Sequence, residues 1–181
     1  MNHTDEEILK LVRSEETRSY GFNVLTHAYQ EKVYWVIRRM VVVHEDSDDL
    51  VQETFLKVWK SLDSFKGESK LYTWVYRIAV NEALSHLRKK KRRFFVPIVD
   101  VEQELSNHID DASCFDGSDI EQKLQKALLT LPAKQRLVFN LKYFEEMKYK
   151  DMSEVLQVSI GGLKAQYHHA VKKIKKELAI D

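Results

Sequence analysis

The sequence predicts an all-α protein of two small helical domains joined by a flexible linker, and three observations carry that prediction. Five Gly and two Pro in 181 residues leave few helix breakers, while the Leu, Lys, Glu and Ala content suits helices. Apolar residues recur at three- and four-residue spacing through most of the chain. Residues 94–118 break the pattern: they lack sustained periodicity and contain Pro97, Gly117, Ser, Asn and Asp. The domains are therefore expected at 1–93 and 119–181, with 94–118 as an acidic linker.

The elements follow in order. A first helix is expected at about 5–17. A long second one at 20–42 has Leu25, Ala28, Tyr29, Val33, Val36, Ile37 and Met40 on its apolar stripe. Ser47 or Asp48 can start a third helix running to about 62. The turn residues of Asp63-Ser-Phe-Lys-Gly67 make a loop, after which a fourth helix spans about 69–91. Helices resume at 119–131, 132–146, 148–156 and 160–178. Pro132 suits a helix start, where its missing N–H costs nothing.

Composition excludes several classes. No stretch approaches the roughly 20 apolar residues that span a bilayer, and MNHTDEEILK does not read as a signal peptide. The single Cys114 excludes an internal disulfide and a Cys-rich zinc site, which points to a reducing, cytoplasmic setting.

The net charge of +1 conceals sorted charge. Five acids and no Lys or Arg lie between Glu45 and Glu53, residues 88–93 read RKKKRR, and eight acids lie between Phe94 and Gln122. Between Lys148 and Lys176 seven Lys face only Asp151 and Glu154. Such blocks imply both anionic and cationic partners. They also predict a closed free chain, acidic helix and linker against basic helices, loosening as salt screens the attraction.

On the third helix Val51, Phe55, Val58, Trp59 and Leu62 share a core-facing side. Asp49, Gln52, Glu53, Leu56 and Lys60 fall opposite. A leucine inside a polar stripe reads either as a docking surface for an Arg-rich partner or as a solvated face with one stray apolar residue. The same EDSDDLVQE run can be read as a magnesium site. Metal binding needs carboxylates converging from two helices, and no second acidic cluster of helical spacing exists outside the linker. No metal and no cofactor are expected.

On the fourth helix Thr73, Arg77, Asn81, Leu84 or Ser85, and Arg88 form a mostly polar stripe with Trp74 at its edge. Arg and Lys supply phosphate contacts, Asn can read base edges, and an edge aromatic can stack on an unpaired base. Trp74 and Tyr76 also fit plain core positions.

The last third, KYKDMSEVLQVSIGGLKAQYHHAVKKIKKEL, reads as a helix-turn-helix. Tyr149, Met152, Val155 and Leu156 face inward, Gln157-Val158-Ser159 makes the turn, and Ser159 caps the next helix. There Leu163, Tyr167, Ala170, Val171 and Ile174 face inward. Gly161, Gly162, Ala165, Gln166, His169, Lys172 and Lys173 face outward, a basic surface opened by small residues that admit DNA closely.

Together these segments resemble the sigma-70 family, specifically the extracytoplasmic-function type of RNA polymerase sigma factor. The resemblance rests on DDLVQETFLKVWKSLDSFKG (48–67), TWVYRIAVNEALSHLRKKKR (73–92), LPAKQRLVFNLKYFEEMKYKDMSEVL (131–156) and VSIGGLKAQYHHAVKKIKKEL (158–178). It implies that residues 1–93 form sigma region 2 and 119–181 form sigma region 4. Asp49, Gln52, Glu53 and Leu56 would dock on the β′ clamp helices of core RNA polymerase. The 62–70 loop and fourth helix would open and read the −10 element, with Phe65, Lys66, Thr73, Trp74, Arg77, Asn81, Arg88, Lys89 and Arg92 on DNA. The second domain would bind −35 duplex DNA through Ser159, Gly161, Gly162, Lys164, Ala165, Gln166, His169, Lys172 and Lys173, and would touch the β flap. The acidic linker would run toward the polymerase active centre. A separate anti-sigma factor is implied as regulator, with no membrane insertion of this chain.

The chain departs from the family pattern at Gln157, where Gly is usual, at Ile160 for an acid, at Gly162 for Thr and at Gln166 for Arg. The −35 preference is therefore not read from the family. Rival readings are a free-standing helix-turn-helix regulator, which needs no second docking face, and an all-α metal enzyme, which metal titration would reveal.

Overall fold

The structure, a computed structural model, describes residues 3–93 and 119–178. Eight α-helices occur among them: α1 (Asp5–Arg13), α2 (Arg18–Val41), α3 (His44–Ser61), α4 (Leu71–Arg93), α5 (Asp119–Leu129), α6 (Ala133–Tyr143), α7 (Tyr149–Leu156) and α8 (Ile160–Glu177). No strand is present among the described residues. The expected linker 94–118, with Cys114, lies outside them.

Helix α1 opens on a capping box. The Glu7 N–H donates to Thr4 Oγ1 at 3.3 Å, and the Thr4 N–H donates to Glu7 Oε2 at 2.8 Å. Those bonds hold the Glu7 carboxyl below its usual range, because they favour its charged form. The helix ends at Arg13, earlier than expected, where Ser14 turns extended. It buries Ile8 and Val12 on α2. The crossing is close: a Cβ on Gly21 would lie 2.7 Å from Leu11 Cβ, so only glycine fits there. The stripe of α2 is buried as expected except for Ala28, which is exposed.

Helix α3 begins at His44 rather than at Ser47 or Asp48. Val43 supplies no side-chain cap, and the Ser47 hydroxyl instead donates back to Val43 O at 2.6 Å inside the helix. A short 3₁₀ turn, Leu62–Ser64, follows α3. The Arg18 guanidinium grips Asp63 there with two bonds of 2.7 and 2.9 Å, and lies 5.1 Å from the Trp59 ring centre. This bidentate grip holds the Asp63 carboxyl below its usual range.

Pro132 sits at the N-cap of α6, and its carbonyl accepts from Gln135 and Arg136 N–H at 2.8 and 3.0 Å. Ala127, Leu128, Leu131, Phe139, Ala170 and Ile174 form a core for α5, α6 and α8. Phe139 stacks between Tyr143 and Tyr167 at centroid distances of 5.1 and 5.8 Å.

The two halves are in contact, and among the described residues the centre of that contact is apolar. Helix α7 lies against α4 and α6 against α2, through one continuous apolar core. That core joins Leu71, Val75 and Ala79 to Leu137, Leu141, Met147, Met152 and Val155. The acid helix finds its cations within the first half: Asp46 lies 3.6 Å from Lys90 Nζ and 3.3 Å from His86 Nε2. The expected loosening at high salt acts only on the charged part of such a contact, because apolar burial is not screened by ions.

Candidate polymerase and nucleic-acid interfaces

On α3 the 3.6-residue period sends Leu50, Phe55 and Val58 inward and leaves Asp49, Gln52, Glu53 and Leu56 exposed. Leu56 is 59% exposed. The four residues form a ridge between two grooves. Asp49 and Glu53 border a polar groove completed by Glu82, Ser85, His86 and Lys89 of α4. Gln52 and Leu56 border an apolar groove completed by Ser19, Phe22 and Asn23 of α2 with Phe55 and Trp59. Phe22 meets Trp59 edge-on at 4.9 Å. The sequence reading missed this α2 wall. Its signal was Phe22, four residues after Arg18 on the same helix face.

The residues assigned to the −10 element separate into two sets. Lys66, Asn81, Arg88 and Lys89 are exposed and Arg77 is half-buried. Thr73, Phe65 and Trp74 are buried, at 1%, 8% and 7% exposure. Phe65 and Trp74 pack together at 5.0 Å. Thr73 does not join an open polar stripe as expected, because α4 is packed on three helices, α2, α3 and α7. In this arrangement those three side chains are core, and contact with a base requires them to move. The Arg92 side chain lies outside the described residues.

The face expected to meet the −35 element is assembled without such conflict. Helix α7 ends at Gln157, which takes the left-handed conformation (φ 55°, ψ 42°) where glycine is favoured. Its amide donates to Glu154 O at 2.9 Å, so the departure from Gly keeps the turn. Ser159 caps α8, accepting from the Gly162 N–H at 3.2 Å. A Cβ on Gly162 would lie 3.2 Å from Ser159 Oγ and from Val158 Cγ1, which crowds that cap, whereas Gly161 faces open space. Leu163, Ala170 and Ile174 anchor the helix. Gly161, Lys164, Ala165, His169, Lys172 and Lys173 are exposed, while Gly162 and Gln166 are partly covered. His168, absent from the expected set, is exposed beside His169 at 5.9 Å. Carboxylates are absent from this face between Ile160 and Lys176, so its field is uniformly positive.

No group of three or more His, Cys, Asp or Glu suited to a metal ion occurs among the described residues. Among them, too, no helix is long and apolar enough to cross a membrane.

Comparison with known proteins accounts for both halves. Residues 25–93 match Sigma-70 region 2, and residues 121–174 match Sigma-70, region 4. The RNA polymerase sigma-H factor of Pseudomonas aeruginosa is 30% identical over 96% of this chain and 93% of its own length. The ECF RNA polymerase sigma-E factor of Haemophilus influenzae is 29% identical over 97% and 95%. A solved structure from Bartonella quintana, the sigma factor RpoE in complex with the anti-sigma factor NepR, superposes with a TM-score of 0.69. It shares 24% identity and covers 88% of this chain and 98% of that one. The chain thus belongs to the sigma-70 family of RNA polymerase sigma factors, in its extracytoplasmic-function class.

Proposed function

We propose that this chain is the promoter-specificity subunit of a bacterial RNA polymerase: it binds core enzyme, recognises −35 and −10 elements and starts transcription of a specific gene set. The observation that carries this reading is the α3 ridge. A repressor that acts alone needs a DNA face, and α8 supplies one. It has no use for a second exposed face on which Leu56 stands among Asp49, Gln52 and Glu53. An apolar centre with a charged rim is the anatomy of a protein-docking patch.

In this reading the ridge meets the β′ clamp helices and the second domain touches the β flap. Gln166 and His169 face bases of the −35 duplex, while Lys172 and Lys173 meet phosphates. Arg77 and Asn81 begin contact with the −10 element, and Phe65, Trp74 and Thr73 join as the strands part. The chain contributes binding energy rather than a reacting group. It works in the cytoplasm, and a separate anti-sigma factor, such as the one complexed with the Bartonella relative, holds it inactive.

The test is charge reversal on the ridge. Asp49→Lys with Glu53→Lys should weaken binding to core polymerase by about tenfold or more, as loss of two rim charges at a steered interface does. Thermal unfolding should be unchanged, since both side chains are exposed. Unaltered affinity for core would reject the docking assignment.

A further inference from the structure

Helix α8 begins with two residues that its own stability does not explain. Ile160, its first residue, is 42% exposed, although Leu163, Tyr167, Val171 and Ile174 along the same helix are buried or partly covered. Neither apolar core includes it. A helix start gains from an acidic side chain, because the dipole there favours negative charge. The first turn of α8 contains no acid, and a β-branched apolar residue leads it instead. Gly161 follows. Glycine weakens a helix relative to alanine, yet a Cβ on Gly161 would meet nothing within 4 Å. The fold has room for a side chain at 161 and does not use it. Gly162 differs, since its missing Cβ spares the Ser159 cap.

Both choices make sense against an approaching surface. Without a side chain at 161 the first turn can come close to it, and the exposed Ala165, one turn on, continues the bare strip. Ile160 stands beside that strip, on the flank it shares with Lys164. In a recognition helix the N-terminal residues are the ones that reach base edges. The positive field of this face draws phosphates to Lys164, Lys172 and Lys173. An isoleucine side chain can neither donate to a phosphate nor hydrogen-bond a base. What the major groove offers to an apolar group is the C5-methyl of thymine, which the other three bases lack.

We infer that Ile160 is a specificity-determining residue of the −35 contact: it covers the C5-methyl of one thymine, and Gly161 is the gap that lets it reach. This deepens the −35 reading of α8 and rests on it. The departure at position 160 then has a chemical consequence. An acid there would accept from cytosine N4, whereas isoleucine favours thymine.

Deoxyuridine differs from thymidine by that methyl alone, so it isolates the contact. The probe is the −35 duplex that the full-length parent chain retains from a randomised pool. Each thymine is replaced in turn by deoxyuridine, and affinity is read by fluorescence anisotropy. One position should lose about fourfold, as expected for one buried methyl, and the others should change little. Ile160→Ala should bind the thymine duplex more weakly, and deoxyuridine at that position should then cost it under about twofold, since the partner of the methyl is gone. Ile160→Val should keep most of the parental response. Gly161→Ala should also weaken the thymine duplex while thermal unfolding holds or rises, because alanine is the better helix former and has room there. A misfolded helix would lower affinity for every duplex alike and would not erase the response to one methyl. A parent chain indifferent to deoxyuridine at every position overturns the inference. So does an Ile160→Ala variant that loses affinity uniformly and keeps the parental response, which would set Ile160 against sugar or a polymerase surface. A pool from which no specific sequence is retained rejects the −35 reading itself, and the inference with it.

Discussion

Helices α4 and α8 are both assigned to DNA, yet the fold treats them differently. On α8 the inward residues Leu163, Ala170 and Ile174 and the outward Lys164, Ala165, His169, Lys172 and Lys173 separate cleanly. On α4 the assigned residues are mixed: Asn81 and Arg88 are exposed, Arg77 is half-buried, and Thr73 and Trp74 are core. The two proposed tasks would account for the contrast. Reading a duplex needs a rigid face that fits a groove, and α8 offers it ready-made. Capturing an unpaired base needs a pocket that does not exist until the strand opens, and buried aromatics that repack can form one.

If α8 is preformed, its phosphate and base contacts should separate under mutation. Lys172→Ala with Lys173→Ala should flatten the salt slope by about two, each phosphate contact contributing roughly 0.9. Between about 50 and 200 mM salt the variant should then lose about tenfold less affinity for −35 duplex than the parent does. Gln166→Ala should instead change the preferred base in a selection over randomised −35 sequences. A Gln166 variant that returns the parental preference removes base contact from that position.

Next in size is the cap. Ser159→Ala leaves the Gly162 N–H without its acceptor and should cost about 1 kcal/mol of stability, read by denaturant unfolding. The loss should appear as a lower denaturant midpoint with an unchanged slope.

The smallest effect concerns the tether beneath the 62–70 loop. Asp63 should titrate below the usual carboxylate range, because the Arg18 guanidinium favours its charged form. A depressed folded value stabilises above the ordinary carboxylate pKa and is lost as pH falls through the folded one. Arg18→Ala should return Asp63 to the ordinary range in a carboxyl NMR titration. An Asp63 that titrates normally in the parent would remove the tether.

What the sequence made legible follows from how local the cause was. The α3 ridge was visible because one residue, Leu56, broke a polar stripe. The α8 face was visible because Ser159 and the Leu163–Ile174 spacing lie within one element. Thr73 was misread because its burial comes from three helices packing around α4, the most distant being α7, which periodicity within α4 cannot report. The start of α3 was misplaced because Val43 ends the preceding segment without any capping side chain. The apolar part of the contact between the halves was not legible for a related reason. Charge blocks are conspicuous in a sequence, whereas the Leu71, Val75 and Met152 contact is made of ordinary core residues.

The contrast between the two DNA helices is tested most directly by fluorescence anisotropy of the free chain with two probes. One is a −35 duplex, the other a single strand carrying the non-template −10 element, each measured again with core polymerase present. The free chain should bind the −35 duplex in a salt-dependent way and bind the −10 strand at least about tenfold more weakly than the polymerase-bound chain does, because the binding-competent form is a minor population. A free chain that binds the −10 strand as tightly as the complex does would show that Thr73, Phe65 and Trp74 need no rearrangement, and would contradict that contrast.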